Sequence, residues 1–506
     1  MRKQNNQKHR KRITAAICMC MGMVSALVGC GSSAGENKSG DLPVITIFNR
    51  VNPDVVIEDN PLIKLLGEKV GVTIEYNAPP INNYDEKLQI TMASETLPDI
   101  IYNWHAADSY FESWAKDGLL AELDDKIQNY PNIMAAVSDE CWEAVRSTNT
   151  GKLHAIPKPN VDNHWGIIIN QEWLDNLGLS LPTTLEEFKD VCHAFTYDDP
   201  DGNGKDDTYA LSFQKGLALT AFQATFGLSE NRDFDGNYKI TQKKSGYIPY
   251  LTYIRELYAD GVIDPEFITN ERGTDQEKLF SGKAGIVLDH QNGVLSYLSK
   301  DPDACEKYTY IGPLKQPGGE SVCYVTPSFW GMWMISADAD VDQCLKLIDY
   351  AMSDEGFQLL GVGTEEYYNS YDLESRQIDQ TAEQSANAAK VTSSYLTFAY
   401  AKDGTAPFIE NATTPERIDK FYKDFNAMKE STTIIRVPAV KASMYTTFTT
   451  DNPDLVTKRE EYEVKYVVGE IDEAEFTQFL EDEYFPAVEA MEAEYIQWLE
   501  EYESKN

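Results

Sequence analysis

The order of apolar segments near the start of the folded region constrains this chain most. Val44-Ile45-Thr46-Ile47-Phe48 is a β-rich apolar run. A helical segment follows from Asn60-Pro61 to Val70 and stops at Gly71, after which Val72-Thr73-Ile74-Glu75-Tyr76 is again strand-like. Two strands joined through a helix are parallel neighbours, because a hairpin leaves no room for the crossover. An amphipathic helix over Tyr84 to Ser94 and a short strand from Ile100 to Tyr102 extend the alternation. The expected class is therefore α/β.

Later segments repeat these elements. Strands are expected at Gly151–Pro157, His164–Asn170, Ala284–Asp289 and Trp330–Ser336. Helices are expected at Glu172–Leu177, capped by Gly178, and at Tyr247–Asp260 and Val341–Ser353. Thr184 and Glu187 have capping-box spacing at the start of another helix. The last 35 or so residues are acid-rich and helical in pattern.

A chain of 506 residues exceeds the roughly 100–200 typical of one domain. Its 42% hydrophobic and 25% charged residues are a globular composition. The net charge is −38, but residues 1–29 hold six basic and no acidic side chains. Without them 38 basic residues stand against 82 acidic ones, a net −44. Such a surface repels phosphate backbones and anionic headgroups, which excludes nucleic acid as a partner.

The basic N-terminus leads into an uncharged run of 17 residues, Ile13 to Gly29. That is short for a membrane span, which needs about 20 residues, and suits a signal-peptide core. The run ends in Leu27-Val28-Gly29-Cys30, which resembles a bacterial lipobox. That resemblance implies cleavage before Cys30, lipid on the new N-terminus, and a chain held by acyl chains (palmitate among them) on the extracytoplasmic face of the cell membrane. Gly31 to Gly40 would be a flexible linker. Of eight cysteines, Cys141, Cys192, Cys305, Cys323 and Cys344 lie beyond it. Their odd number and the absence of C-x-x-C argue for buried thiols, with Cys305–Cys323 the one nearby pair that could bridge.

Several short segments together carry a resemblance. They are Ala93–Ile100, Asp117–Leu120, Gly151–Pro157, Ile169–Leu174, Pro182–Phe188, Tyr258–Pro265 and Phe280–Gly285. In this order they resemble the family 1 extracellular solute-binding proteins of bacterial ABC importers, above all the long lipoprotein branch similar to oligosaccharide binders. The resemblance implies a two-lobed periplasmic-binding-protein-like fold with interleaved lobes, a multi-segment hinge and a helical C-terminal region. Hinge segments are expected near 161–166, 287–292 and 327–331. Lobe one would hold 42–162 and 292–327, and lobe two 167–286 and 332–506.

Asp199-Pro200-Asp201-Gly202-Asn203-Gly204-Lys205-Asp206-Asp207 places oxygen donors at alternate positions with glycine sixth, as an EF-hand loop begins. Asp199, Asp201, Asn203, the Lys205 carbonyl and Asp207 are the expected Ca²⁺ ligands. Position twelve is Ala210 instead of a bidentate Glu, and a strand-like segment follows. The loop is thus similar to the structural calcium loop of long oligosaccharide binders, not to a sensor.

Sugar binders stack aromatic rings on apolar sugar faces and place planar polar groups at the hydroxyl-bearing edges. In α/β folds ligands lie beyond the strand ends. Asn49 and Arg50 follow the first strand, and Asn103 and Trp104 the third. His164 and Trp165 sit at the first crossing, Asp289 at the second, and Phe329 and Trp330 at the third. Tyr367 and Tyr368 lie in a later loop. These eleven residues are the candidate ligand site. Trp330 and Trp333 point to opposite sides of their strand, and Trp330 is favoured for the cleft.

Beyond the linker there is no G-x-S-x-G, H-E-x-x-H, Walker or G-x-G-x-x-G motif. The expected function is non-enzymatic: a monomer captures an oligosaccharide or other small solute and delivers it to the transmembrane permease subunits. The same fold holding a peptide, and a secreted glycoside hydrolase, are the rival readings.

Overall fold

The structure, a computed structural model, describes residues 42–52, 54–80, 83–105, 109–160, 164–229, 232–271, 273–290, 304–325, 329–373, 378–399, 415–437, 448–449 and 452–505. The expected signal segment, Cys30 and linker lie outside these residues, as do 161–163, 291–292 and 327–328 of the expected hinges.

The strands in chain order are β1 (Val44–Phe48), β2 (Thr73–Asn77), β3 (Ile100–Asn103), β4 (Ala155–Pro159), β5 (Trp165–Asn170), β6 (Tyr209–Leu211), β7 (Ala284–His290), β8 (Tyr308–Ile311), β9 (Val322–Val325), β10 (Phe329–Ile335), β11 (Ser370–Tyr371), β12 (Ile378–Asp379) and β13 (Thr433–Arg436). Local chemistry explains the first unit. Asn60 caps the helix Pro61–Val70 by accepting from the Leu62 and Ile63 amides, and Gly71 ends it in the left-handed conformation at φ 84°. The chain then returns as β2, parallel to β1 with Val44 opposite Thr73. Thr184 and Glu187 form the expected capping box, and Gly178 closes Gln171–Leu177.

Two sheets result. The first has the order β2-β1-β3-β10-β4, the second β6-β7-β5-β8. Each supports its own core. Ile100, Ile101, Ile156 and Trp333 lie in one, and Ile167, Ile169, Phe188 and Ile286 in the other. This is the expected two-lobed α/β arrangement with a helical C-terminus, whose segments Pro453–Val467, Glu473–Phe479 and Phe485–Lys505 help to close the second core.

The lobe boundaries need correction after residue 290. Tyr308–Ile311, expected in lobe one, pairs with β5 in the second sheet. Phe329–Ile335 lies between β3 and β4 in the first sheet. The helices Val341–Met352 and Asp354–Gly361 pack in the first core, as do Leu396 and Phe398, although 332–506 was assigned to lobe two. The hinge expected near 287–292 is also corrected, because β7 and β8 flank the same strand. The chain passes between the cores from Pro159 to Trp165, from Val325 to Phe329, and between Ala399 and Pro415. Strand pairing is non-local, so the pattern within 308–335 gives no partner. Cys141, Cys192, Cys323 and Cys344 are buried free thiols, so no bridge ties Cys323 to Cys305.

Candidate functional site

The connection from β4 to β5 fixes which sheet edges face each other. Six chain steps join Pro159 to Trp165, a reach of at most about 20 Å. The edge of sheet one that carries Pro159 and Phe329 therefore lies close to the edge of sheet two that carries Trp165 and His290. The strand-end residues Asn49, Arg50, Asn103 and Trp104 belong to the first edge.

On that first face, Asn49 is fully buried. Its side-chain amide donates to the Tyr76 hydroxyl at 2.6 Å and the Tyr395 carbonyl at 2.7 Å, and its oxygen accepts from the Arg50 amide at 2.7 Å. This fastens the 392–398 segment over the strand ends. The Arg50 guanidinium lies 4.5 Å from the Trp104 ring centre and 4.9 Å from that of Tyr395. Its Nε is buried without a hydrogen-bond partner. Trp104 is 38% exposed and donates through Nε1 to Asp85 at 2.6 Å. The Asn103 oxygen accepts from the His105 amide at 3.1 Å, while its buried Nδ2 has no partner.

Gly331 makes this edge possible. It sits at φ 73° where the β10 register slips between Phe329 and Met332. A Cβ there would lie 2.4 Å from the Asn103 carbonyl oxygen and 2.5 Å from Trp104 Cα. Phe329 and Trp330 are half-buried, and the Tyr102 hydroxyl donates to the Trp330 carbonyl. Trp333 is fully buried, stacks on Phe398 at 4.2 Å and donates to its carbonyl at 3.0 Å.

Sequence reasoning missed Lys158 and Tyr395. Lys158 is 1% exposed, donates to the Ser394 carbonyl at 2.7 Å, and lies 5.3 Å from the Tyr102 ring and 5.5 Å from that of Trp333. Burial, and then the nearby Arg50 charge, hold its ammonium well below the usual lysine range. A lone charged residue in a strand buried along its whole length was the available signal. Tyr395 had none, since a loop far along the chain supplies it.

On the second face, the half-buried Trp165 ring meets His290 edge-on at 5.3 Å. Asp289 accepts from the Gln276 amide at 3.3 Å and the His290 backbone N–H at 2.8 Å. Asp275, also missed, is 3% exposed with a buried Oδ1 lacking a partner. Burial raises its carboxyl pKa, and Asp289 adds to the rise. Trp165, Leu288, Asp275 and Gln214 line one end of a cavity of about 840 Å³ that runs on to Arg459 and Glu463. There Glu463 accepts from Arg459 at 2.6 Å and from the Tyr247 hydroxyl.

Three candidates sit elsewhere. His164 is buried, its ring edge-on to Phe425 at 5.3 Å and its carbonyl accepting from the Tyr310 hydroxyl. Tyr367 packs in the first core, and Tyr368 accepts from Gln358 at 2.8 Å. Among the described residues neither tyrosine makes a hydrogen bond or ring contact with Arg50, Trp104 or Trp165.

In the acidic loop Asp199 takes φ 49°, and its Oδ2 accepts from the Gly204 amide at 2.9 Å. The Asn203 side-chain amide donates to Asp201 at 2.7 Å and Asp207 at 3.1 Å. Asp199 Oδ1 is buried without a partner, which suits a cation. Among the described residues, however, no three His, Cys, Asp or Glu side chains are gathered closely enough to form a ready metal site.

Comparison with known proteins follows from this geometry. The sequence matches the family of bacterial extracellular solute-binding proteins over residues 56–356, more than half of the chain. It is 29% identical to lipoprotein LipO of Bacillus subtilis over 66% of this chain and 69% of that protein. It is 25% identical to the polygalacturonan/rhamnogalacturonan-binding protein YtcQ of the same organism, over 70% and 73%. The Streptococcus pneumoniae ABC-transporter substrate-binding protein FusA, solved with kestose, superposes with a TM-score of 0.67 at 18% identity, covering 92% of this chain and all of that one. That likeness establishes a shared fold. Two lobes, crossing strands and matching sequence lead to one assignment: the chain is a member of the bacterial extracellular solute-binding protein family.

Proposed function

We propose that this protein captures an oligosaccharide between its lobes and delivers it to the membrane subunits of an ABC importer. The observation that carries the reading is the pair of aromatic and polar faces on sheet edges held within about 20 Å by the β4–β5 connection. Trp104 and Tyr395 on one edge and Trp165 on the other offer ring faces, while Asn103, Gln214, Gln276 and Asp289 offer hydrogen-bonding edges. YtcQ is named for carbohydrate polymers and FusA was solved with a saccharide, which supports a carbohydrate here.

Capture needs no bond chemistry, and the family is one of transport and not of enzymes. The protein acts as a non-enzymatic monomer. The ligand must bind the closed arrangement more tightly than the open one, since equal affinity would shift nothing. Lipid on Cys30, after removal of residues 1–29, holds the binder near its permease and raises their effective concentration. Ca²⁺ at Asp199, Asp201, Asn203, Asp207 and the Lys205 carbonyl would brace the second lobe, with the orphaned Asp199 oxygen as its first ligand.

A thermal-shift screen of residues 31–506 against neutral and acidic oligosaccharides tests the reading. A stabilising shift with at least one glycan is expected, and none with any glycan defeats it. The same scan with EDTA tests the cation: unchanged melting would remove calcium from the account.

A further inference from the structure

The first face carries positive charge that the protein itself does not neutralise. Among the described residues neither Arg50 nor Lys158 forms an ion pair. Several cations elsewhere are matched by carboxylates: Arg146 with Asp124 at 2.6 Å, Lys278 with Asp264 at 2.7 Å, Arg459 with Glu463 at 2.6 Å. Lys244 and Lys346, like Lys158, donate to backbone carbonyls, those of Leu228 at 2.8 Å and Val70 at 3.0 Å. Arg255 lacks a carboxylate but donates to the Tyr466 and Ile471 carbonyls, the first in the last turn of a helix, where the backbone is electronegative. The acid beside Trp104, Asp85, accepts from the indole and lies 3.3 Å from the His105 ring, and it makes no ion pair with Arg50.

These unmatched donors converge. β1 pairs with β3 through Ile47–Ile100 and Phe48–Ile101, and that register carried two residues on sets Arg50 alongside Asn103. Arg50 Nε and Asn103 Nδ2 are both buried without acceptors. Lys158 sits behind them, held by loop carbonyls. Two buried donors without acceptors, one of them on an unpaired guanidinium, in a chain of net charge −38 mark a place where an acceptor-rich anion completes the site. The opposite face differs, since Asp275 and Asp289 can accept from hydroxyls.

Resting on the carbohydrate reading above, we infer that the natural ligand is a carboxylate-bearing oligosaccharide of the uronate type, bound with its carboxylate toward Arg50 and Asn103 and its hydroxyls toward Asp289. Trp104 and Tyr395, whose rings both lie against the guanidinium at 4.5 and 4.9 Å, would hold it in place for an approaching carboxylate.

The test titrates residues 31–506 with galacturonate and mannuronate trimers, with the methyl ester of each, and with neutral maltotriose and kestose. At least one acid is expected to bind roughly tenfold or more tightly than its own ester, as fits a charge-assisted contact. Arg50→Gln should abolish that preference, and Arg50→Lys should keep part of it. Melting curves of both variants separate a lost contact from a lost fold. A neutral glycan that binds while every acid binds no better than its ester overturns the inference and leaves the carbohydrate function standing. A preference that persists in Arg50→Gln overturns the assignment to this face. Binding of no glycan at all defeats the carbohydrate reading, and this inference with it.

Discussion

The two lobes meet the cleft with opposite chemistry. Lobe one offers Arg50 against two aromatic rings, with Lys158 buried behind it and, among the described residues, no acid paired to either. Lobe two offers Trp165 beside His290, with Asp289 and the buried Asp275. The cations sit on fully built sheet ends, bonded to carbonyls and rings. Of the acids, Asp275 lines the cavity of the second lobe. On the proposed reading, a ligand with carboxylates and hydroxyls would satisfy both faces only in one orientation, so the asymmetry would select a pose as well as a charge. It would also favour closure on such a ligand, since each face carries buried polar atoms without partners.

The largest expected effect removes the floor of the first face. Trp333→Ala empties a fully buried site that supports Lys158 and Phe398, and should cost about 3–5 kcal/mol in chemical denaturation. A loss near zero would mean that this face does not rest on the core. Loss of bound calcium should come next. At a hundredfold excess over its dissociation constant the ion would contribute about 2.7 kcal/mol, and EDTA should lower the melting temperature by the corresponding amount. Smaller are the ring contacts. Trp104→Ala and Trp165→Ala should each weaken binding of the preferred glycan by about 1–3 kcal/mol without altering the fold. If only one does so, the ligand touches one lobe and the comparison fails.

The smallest effect concerns Asp275. Its folded carboxyl pKa is raised by burial, so its share of stability is present below the ordinary carboxylate pKa of about 4 and is lost as pH rises through the folded value. Asp275→Asn should flatten stability across that window while leaving acid-pH stability nearly unchanged. Parallel profiles for the two proteins would show that the group is not desolvated as described.

Legibility in the sequence followed the range of the interactions. The helix Pro61–Val70 was readable because Asn60 and Gly71 act within a few residues, and so were the Thr184–Glu187 box and the Gly178 cap. The βα rule picked out Arg50 and Trp104, whose side chains meet at 4.5 Å. Tyr395, the other ring on Arg50, comes from a loop almost 350 residues later and could not be inferred. Lys158 lies one residue beyond the strand expected at Gly151–Pro157, and its burial depends on packing against a loop from residues 394–395. The lobe of 308–335 was misassigned because β8 finds its partner about 140 residues earlier, and no local pattern records that choice. Tyr367 and Tyr368 were chosen for composition and loop position, which do not separate a core ring from a cleft ring.

The central claim is that both faces close on one ligand. Small-angle X-ray scattering of residues 31–506, with and without a saturating glycan chosen from the thermal screen, tests it most directly. The radius of gyration should fall when the glycan is added, and fall less in Trp165→Ala at the same concentration. An unchanged radius at full occupancy would contradict it.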